Sequence, residues 1–287
     1  MHLVYAVDEA YALPMAASLW SVVRNTTAPV DLTVLTPDLS DRTEEVLRRL
    51  FPTVTVSVVR RKPEHRHGLR LSDRFPAAAY LRLMMAEALP PDCQRAIYLD
   101  ADTIAVADLT KLERTDISNG IIAAVQDDFS ASLRSLHKAA GLPDVRAESG
   151  TPRYFNSGVM VIDVAKWRSA RVGERAMELC ERSGLHDQRA LNAVIGGDWV
   201  AVDATWNVMT HLYYPFRSWR TAPRDIVPRL RIRHFTAIKP WKQHRPDLGT
   251  HLYTDVVREM REAAGPLVEA LGQSTGGTGV PLDALPE

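Results

Sequence analysis

The sequence predicts an α/β fold, a mostly parallel sheet flanked by helices within a single domain. Three observations predict it. Apolar or alternating runs of strand length recur with helical segments between them, and this β-α-β-α order in the first half favours a parallel sheet covered on both faces. The chain has 287 residues, enough to bury a full core as one large α/β domain. Acidic residues, Asp8 and Asp100, end two of the apolar runs, and sheets of this kind bind nucleotides at the carboxyl ends of their strands.

The elements follow in order. Residues 3–7 form an apolar strand, and 12–24 a helix carrying Pro14. A strand at 32–35 leads to a helix at 40–50, where Ser40 is placed to cap and Thr43-Glu44 fall in the first turn. A strand at 54–59, a helix at 77–88 and a strand at 96–99 come next. The second half reads as strand 121–125, helix 131–140, strand 159–162, helices 164–182 and 187–195, and strand 230–235. No internal repeat is present. The end of the chain reads as a helical segment over 246–271 and a tail over 272–287, whose Gly272-Gln273-Ser274-Thr275-Gly276-Gly277-Thr278-Gly279 run is flexible by composition and holds no Lys or Arg.

Composition narrows the function. Lys+Arg and Asp+Glu are both 35, so the formal charge is zero, which argues against nucleic acid as the main partner. The N-terminus, Met1-His2-Leu3-Val4, reads as a strand and not as a signal peptide. The most apolar later stretch, 10–23, is too short to span a bilayer, so no strong membrane anchor is expected. Cys93 and Cys180 lie far apart and in no metal-binding spacing. A cytoplasmic protein is expected.

The chemistry concentrates in Ala96-Ile97-Tyr98-Leu99-Asp100-Ala101-Asp102-Thr103. In an extended segment, carboxylates spaced i, i+2 lie on the same side of the backbone. Side by side they repel unless a positive group sits between them. A divalent cation fills that need and keeps positions for phosphates. The other reading of the same tripeptide is a strand end whose aspartates cap the next turn.

Three further segments bear on the choice: Tyr154-Phe155-Asn156-Ser157-Gly158 ahead of an apolar strand, His186-Asp187-Gln188 opening a helix, and His234-Phe235-Thr236 followed by Lys239-Pro240-Trp241. Together with the Tyr-Leu-Asp-x-Asp run they resemble, in order and over residues 2–242, the family 8 glycosyltransferases. These are retaining enzymes that include bacterial lipopolysaccharide galactosyl- and glucosyltransferases and glycogenin. The resemblance implies a GT-A fold with a Rossmann-like sheet over residues 1–245, a UDP-sugar donor such as UDP-glucose or UDP-galactose, and Mn²⁺ or Mg²⁺.

By motif match, Asp100, Asp102 and His234 would hold the metal, a hard donor set suited to such an ion. Asp8 matches a residue near the uracil, Lys239 one that meets the diphosphate, and Arg82 a basic position close to the donor. Asp127, Asn156, Asp187 and Gln188 match positions around the transferred sugar, where carboxylates and amides offer paired acceptors and donors. Asn156 as a turn residue and Asp187 as a helix cap are the structural alternatives. The chain departs from the family at Ala10, where many members carry Asn, at Arg189, often Asp, and between His234 and Lys239, one residue shorter than in the lipopolysaccharide enzymes. The basic, aromatic membrane-binding extension of those enzymes is missing, so a soluble or protein-presented hydroxyl acceptor is expected. The basic stretch 60–74, with His65 and His67, and the aromatic Tyr213-Tyr214-Pro215-Phe216 with Trp219 are candidates to shape the acceptor site; a solvated loop and core packing are the plainer readings.

No Asp or Glu is placed as a nucleophile, so front-face attack with Gln188 stabilising the cationic sugar is the expected route. Three rivals remain. A nucleotidyltransferase would carry a Gly-rich basic loop where Asp8-Glu9-Ala10-Tyr11 stands. A glycoside hydrolase needs two separated carboxylates. A noncatalytic sugar-nucleotide binder would bind donor without turnover.

Overall fold

The computed structural model describes residues 1–62, 68–71, 76–127, 133–142, 153–213, 225–243, 245 and 248–274. The strands are β1 (His2–Ala6), β2 (Val30–Thr36), β3 (Val54–Arg60), β4 (Arg95–Leu99), β5 (Thr103–Ala105), β6 (Ile122–Gln126), β7 (Phe155–Asp163), β8 (Trp199–Ala201), β9 (Val208–Met209) and β10 (Ile232–His234). The helices are α1 (Ala12–Asn25), α2 (Asp41–Leu50), α3 (Ala77–Leu81), α4 (Met85–Ala88), α5 (Thr110–Glu113), α6 (Leu133–Ala140), α7 (Val164–Ser169), α8 (Val172–Ser183), α9 (Asp187–Ile195), α10 (Thr210–Tyr213) and α11 (His251–Ser274).

Seven strands form the central sheet in the order β3-β2-β1-β4-β7-β6-β8. Only β7 runs against its neighbours; the other pairings are parallel. Both faces are covered, which is why the strands read as continuous apolar runs. In β4, Ile97 and Leu99 point into one buried cluster, shared with α1, α2 and α11. Ala96 and Tyr98 point into the other, shared with α3, α4 and α7–α9. Ser40 caps α2 by accepting from the Thr43 amide at 3.1 Å, as its sequence position requires. The last helix, α11, lays Tyr253, Val256, Val257 and Met260 on the first cluster, and its Glu259 accepts from the Trp20 indole at 3.2 Å. Among the described residues, no helix is long and apolar enough to cross a membrane.

A second, three-stranded sheet, β5-β10-β9, stands beside the first. Its strands are two or three residues long, below the length at which a periodic signal emerges, and of them only β10 falls in an expected strand, 230–235. This small sheet creates the seam where candidate site residues gather.

Four local features differ from the sequence reading. The expected helix 77–88 is broken at Arg82–Met84 by a tighter 3₁₀ turn, which aims Arg82 inward. The expected helix 164–182 divides at Arg171, held in the left-handed region at φ 51°, and Gly184 closes α8 in the same conformation at φ 64°. Asn156, Ser157 and Gly158 do not precede their strand but lie within β7, because β4 and β6 pair with it along most of its length. At the C-terminal end, helix α11 continues through Gly272 to Ser274, with its break at Ala264 two residues before Pro266.

Candidate active site

The two aspartates are brought together by a turn, not by a pleat. Strand β4 ends at Leu99, and the Thr103 amide donates back to the Asp100 carbonyl at 3.2 Å. The Thr103 hydroxyl reinforces this bond at 2.8 Å. The turn carries the chain from the large sheet into the small one. There β10 pairs antiparallel with β5, His234 opposite Thr103, and the Phe235 amide donates to the Asp102 carbonyl at 2.9 Å. His234 Nε2 thereby stands 3.6 Å from Asp100 Oδ2 and 3.4 Å from Asp102 Oδ1. One ligand atom from each residue lies within 4.8 Å of the others. Two carboxylates and an imidazole within that span fit a hard or borderline divalent ion.

Gly158 makes this approach possible. A Cβ there would lie 2.3 Å from His234 Cε1 and 2.7 Å from Asp100 Oδ2. Its carbonyl accepts from the Asp100 amide at 2.8 Å, so β7 fixes the start of the turn.

Lys239 reaches the same cluster. Its ammonium pairs with Asp102 Oδ2 and lies 3.3 Å from the Phe235 carbonyl. Burial alone would raise the Asp102 carboxyl, but the Lys239 ammonium outweighs it and holds the group well below the usual carboxylate range. Burial pulls Lys239 down, and Asp102 more than reverses that, leaving the ammonium above its ordinary value. The short link from His234 to Lys239 is made with Ala237 at φ 65°. That left-handed conformation costs about 1 kcal/mol in a residue with a Cβ.

Arg82 is the hub of the other side. Its guanidinium meets Asp100 Oδ1 at 2.9 Å, Asp187 Oδ2 at 2.8 Å and the Ser157 hydroxyl at 3.0 Å, and lies over the Tyr98 ring at 4.9 Å. Tyr98 also donates to Asp100 Oδ1 at 2.9 Å. Burial pushes the Asp187 carboxyl above its ordinary value despite Arg82. Asp187 is the first residue of α9, and Arg82, not a cap, takes its side chain.

Gln188 is oriented by a donor whose hydrogen cannot move. Its Oε1 accepts from the Ser157 amide at 3.0 Å, so its Nε2 faces Tyr154 Oη at 3.4 Å and Asp127 Oδ2 at 3.5 Å. Asn192 staples α9 to β7 by exchanging bonds with both the Phe155 amide and carbonyl at 2.9 Å. Asn156 spends its amide oxygen on the Gly158 amide at 3.0 Å and on Asn207 at 2.9 Å.

Asp8 follows β1. Its Oδ1 is buried and has no hydrogen-bond partner. Burial, with Asp38 nearby, raises its carboxyl above the ordinary range.

These contacts bring Arg82, Asp100, Asp102, Asp127, Asn156, Asp187, Gln188, His234 and Lys239 together, while Asp8 stands after the end of β1 with its Oδ1 unpartnered. Tyr98, Ser157 and Asn207 support them without belonging to the sequence reading. Ser157 and Tyr98 stand inside the sequence motifs, whereas Asn207 carries no sequence signal. Arg60 of the basic stretch pairs with Asp41 and Glu44 at 2.7 and 2.9 Å, a structural role. His65, His67, Tyr214, Phe216 and Trp219 lie outside the described residues; Tyr213 packs its ring 4.7 Å from the buried Arg233 guanidinium.

The family model for Glycosyl transferase family 8 matches residues 2–245. The chain belongs to this family. Among curated relatives it is 28% identical over 232 residues to General stress protein A of Bacillus subtilis, covering 76% of this chain and 77% of that protein. It is 26% identical to Glycosyltransferase GlyF of Streptococcus pneumoniae, over 84% of this chain and 57% of the relative. It is 28% identical to Probable galacturonosyltransferase-like 6 of Arabidopsis thaliana, over 72% and 64%. The last two relatives are therefore substantially longer than the matched region. Among solved structures, galactosyltransferase LgtC in complex with donor and acceptor sugar analogs superposes with a TM-score of 0.74 at 24% identity, covering 89% of this chain and 95% of that one. The fold of this family 8 member is accordingly GT-A.

Proposed function

We propose that this family 8 glycosyltransferase moves a hexose from a UDP-sugar to an acceptor hydroxyl with retention at the anomeric carbon, assisted by Mn²⁺ or Mg²⁺. The convergence of Asp100, Asp102 and His234 at the seam of the two sheets, with Lys239 beside them, carries the reading.

Asp100, Asp102 and His234 would hold the ion, which when bound neutralises charge building on the departing diphosphate. Lys239 moves from Asp102 to a phosphate oxygen when donor enters. Asp8 offers its unpartnered Oδ1 to the N3–H of the uracil. The amides and carboxylates of Asp127, Asn156, Asp187 and Gln188 surround the sugar. Asp187 is held by Arg82 and Gln188 is an amide, so neither is a free nucleophile. In this reading the acceptor oxygen attacks from the leaving-group face. The bond from the anomeric carbon to the phosphate oxygen breaks, the bond to the acceptor oxygen forms, and the hydroxyl proton passes to the departing phosphate. Gln188, held through its Oε1 by the Ser157 amide, stabilises the cationic sugar through its amide dipole.

The test uses UDP-glucose and UDP-galactose with Mn²⁺. Release of UDP and, by proton NMR, an initial sugar product with the donor's α configuration are expected. A β product, or no turnover with any UDP-hexose across hydroxyl acceptors, overturns the reading.

A further inference from the structure

We propose that Asn207 is a positioning residue for His234. It fixes the imidazole with its proton on Nδ1 and so presents the Nε2 lone pair to the ion. The inference rests on the metal reading above for what Nε2 meets, but not for the tautomer itself.

The assignment starts from the Gly158 amide, whose hydrogen cannot be relocated. Its acceptor at 3.0 Å is the side-chain amide of Asn156, which must therefore turn its oxygen that way. The same oxygen is 2.9 Å from the Asn207 amide, so Asn207 points its NH₂ at Asn156. The remaining atom of Asn207 is its oxygen, 2.9 Å from His234 Nδ1. An oxygen acceptor there requires a proton on Nδ1, and in the neutral ring the lone pair then belongs to Nε2. That is the nitrogen facing Asp100 and Asp102. Asn207 is fully buried, and Asn156 and His234 nearly so.

Asn207 works against a local preference. Without an ion, two carboxylates near Nε2 favour a proton on that nitrogen, and a proton there blocks a metal. The Asn207 oxygen tips the balance, because the opposite tautomer would set the Nδ1 lone pair against a carbonyl oxygen in a buried site.

The test reads the tautomer directly. Nitrogen-15 spectra of the histidine side chains, recorded on metal-free protein at alkaline pH, are assigned among the nine histidines by their loss in His234→Gln. The expected result is a protonated Nδ1 and an unprotonated Nε2. In Asn207→Leu the proton moves to Nε2 and Mn²⁺ affinity falls by roughly 10–100-fold. Asn207→Asp sets its second oxygen against Asn156 Oδ1 and so loses stability, but it keeps an oxygen toward Nδ1, so it retains the tautomer and loses less Mn²⁺ affinity than Asn207→Leu, which a merely structural role would not produce. A proton on Nε2 in the wild type overturns the inference, as does an Asn207→Leu protein that keeps both tautomer and affinity. If the wild type binds no Mn²⁺, the metal reading fails while the spectra still decide the role of Asn207.

Discussion

Substituting Gly158 with alanine tests whether the site depends on close approach of β7. The added Cβ would meet His234 Cε1 at 2.3 Å, Asp100 Oδ2 at 2.7 Å and His234 Nδ1 at 2.9 Å. Comfortable contact needs about 3.5 Å, so neighbours must retreat by about 1 Å. None can do so cheaply. His234 is held by Asn207 at 2.9 Å and is 3% exposed. Asp100 is held by Arg82 and Tyr98, both at 2.9 Å. Gly158 itself is bonded on both sides, to Asn156 and to the Asp100 amide. Overpacking of this kind costs about 1–3 kcal/mol of stability, which leaves a domain of ordinary stability folded. Displacing two groups of the proposed metal site by about 1 Å costs about 100-fold in turnover. Denaturant unfolding, Mn²⁺ titration and kcat/KM on one preparation separate the two effects. An alanine variant that keeps wild-type Mn²⁺ affinity and turnover would refute the reasoning.

Other perturbations have defined directions. Arg82→Leu strands Asp100 and Asp187 at a buried site and should cost about 3–5 kcal/mol by denaturant unfolding; adding Asp187→Asn removes one stranded charge and recovers part of that loss. Asp8→Ala deletes a buried oxygen that has no partner in the free protein, so stability should hold or rise while calorimetric UDP affinity falls about tenfold. Lys239→Met frees Asp102 of its competing cation, so Mn²⁺ affinity without nucleotide should rise, and UDP affinity in the presence of Mn²⁺ should drop about tenfold. Parallel movement of both affinities would contradict that division of labour.

What was legible in the sequence follows from how far each signal reaches. Strand β1 and the Ser40 cap are local patterns and stand where the residues put them. The Asp-x-Asp run announced paired carboxylates, yet their meeting depends on a backbone turn and on a strand more than a hundred residues later, so the extended geometry inferred from spacing alone was the wrong cause for the right pairing. Helix 77–88 has helical composition throughout; it tightens at Arg82–Met84, where Arg82 pairs with Asp100 and Asp187, tertiary contacts that leave no local trace. Strands β5 and β9 are too short to show a period, and Asn207 acts through three successive hydrogen bonds that no motif encodes.

The central claim is a metal-dependent nucleotide site at the seam of the two sheets. Calorimetric titration of UDP, then GDP, into metal-free protein with and without Mn²⁺, repeated with Asp102→Ala, tests it most directly. The account predicts UDP binding that requires Mn²⁺ and is lost in the variant. Binding of neither nucleotide in a metal-dependent manner, or Mn²⁺-dependent UDP binding that survives Asp102→Ala, would contradict it.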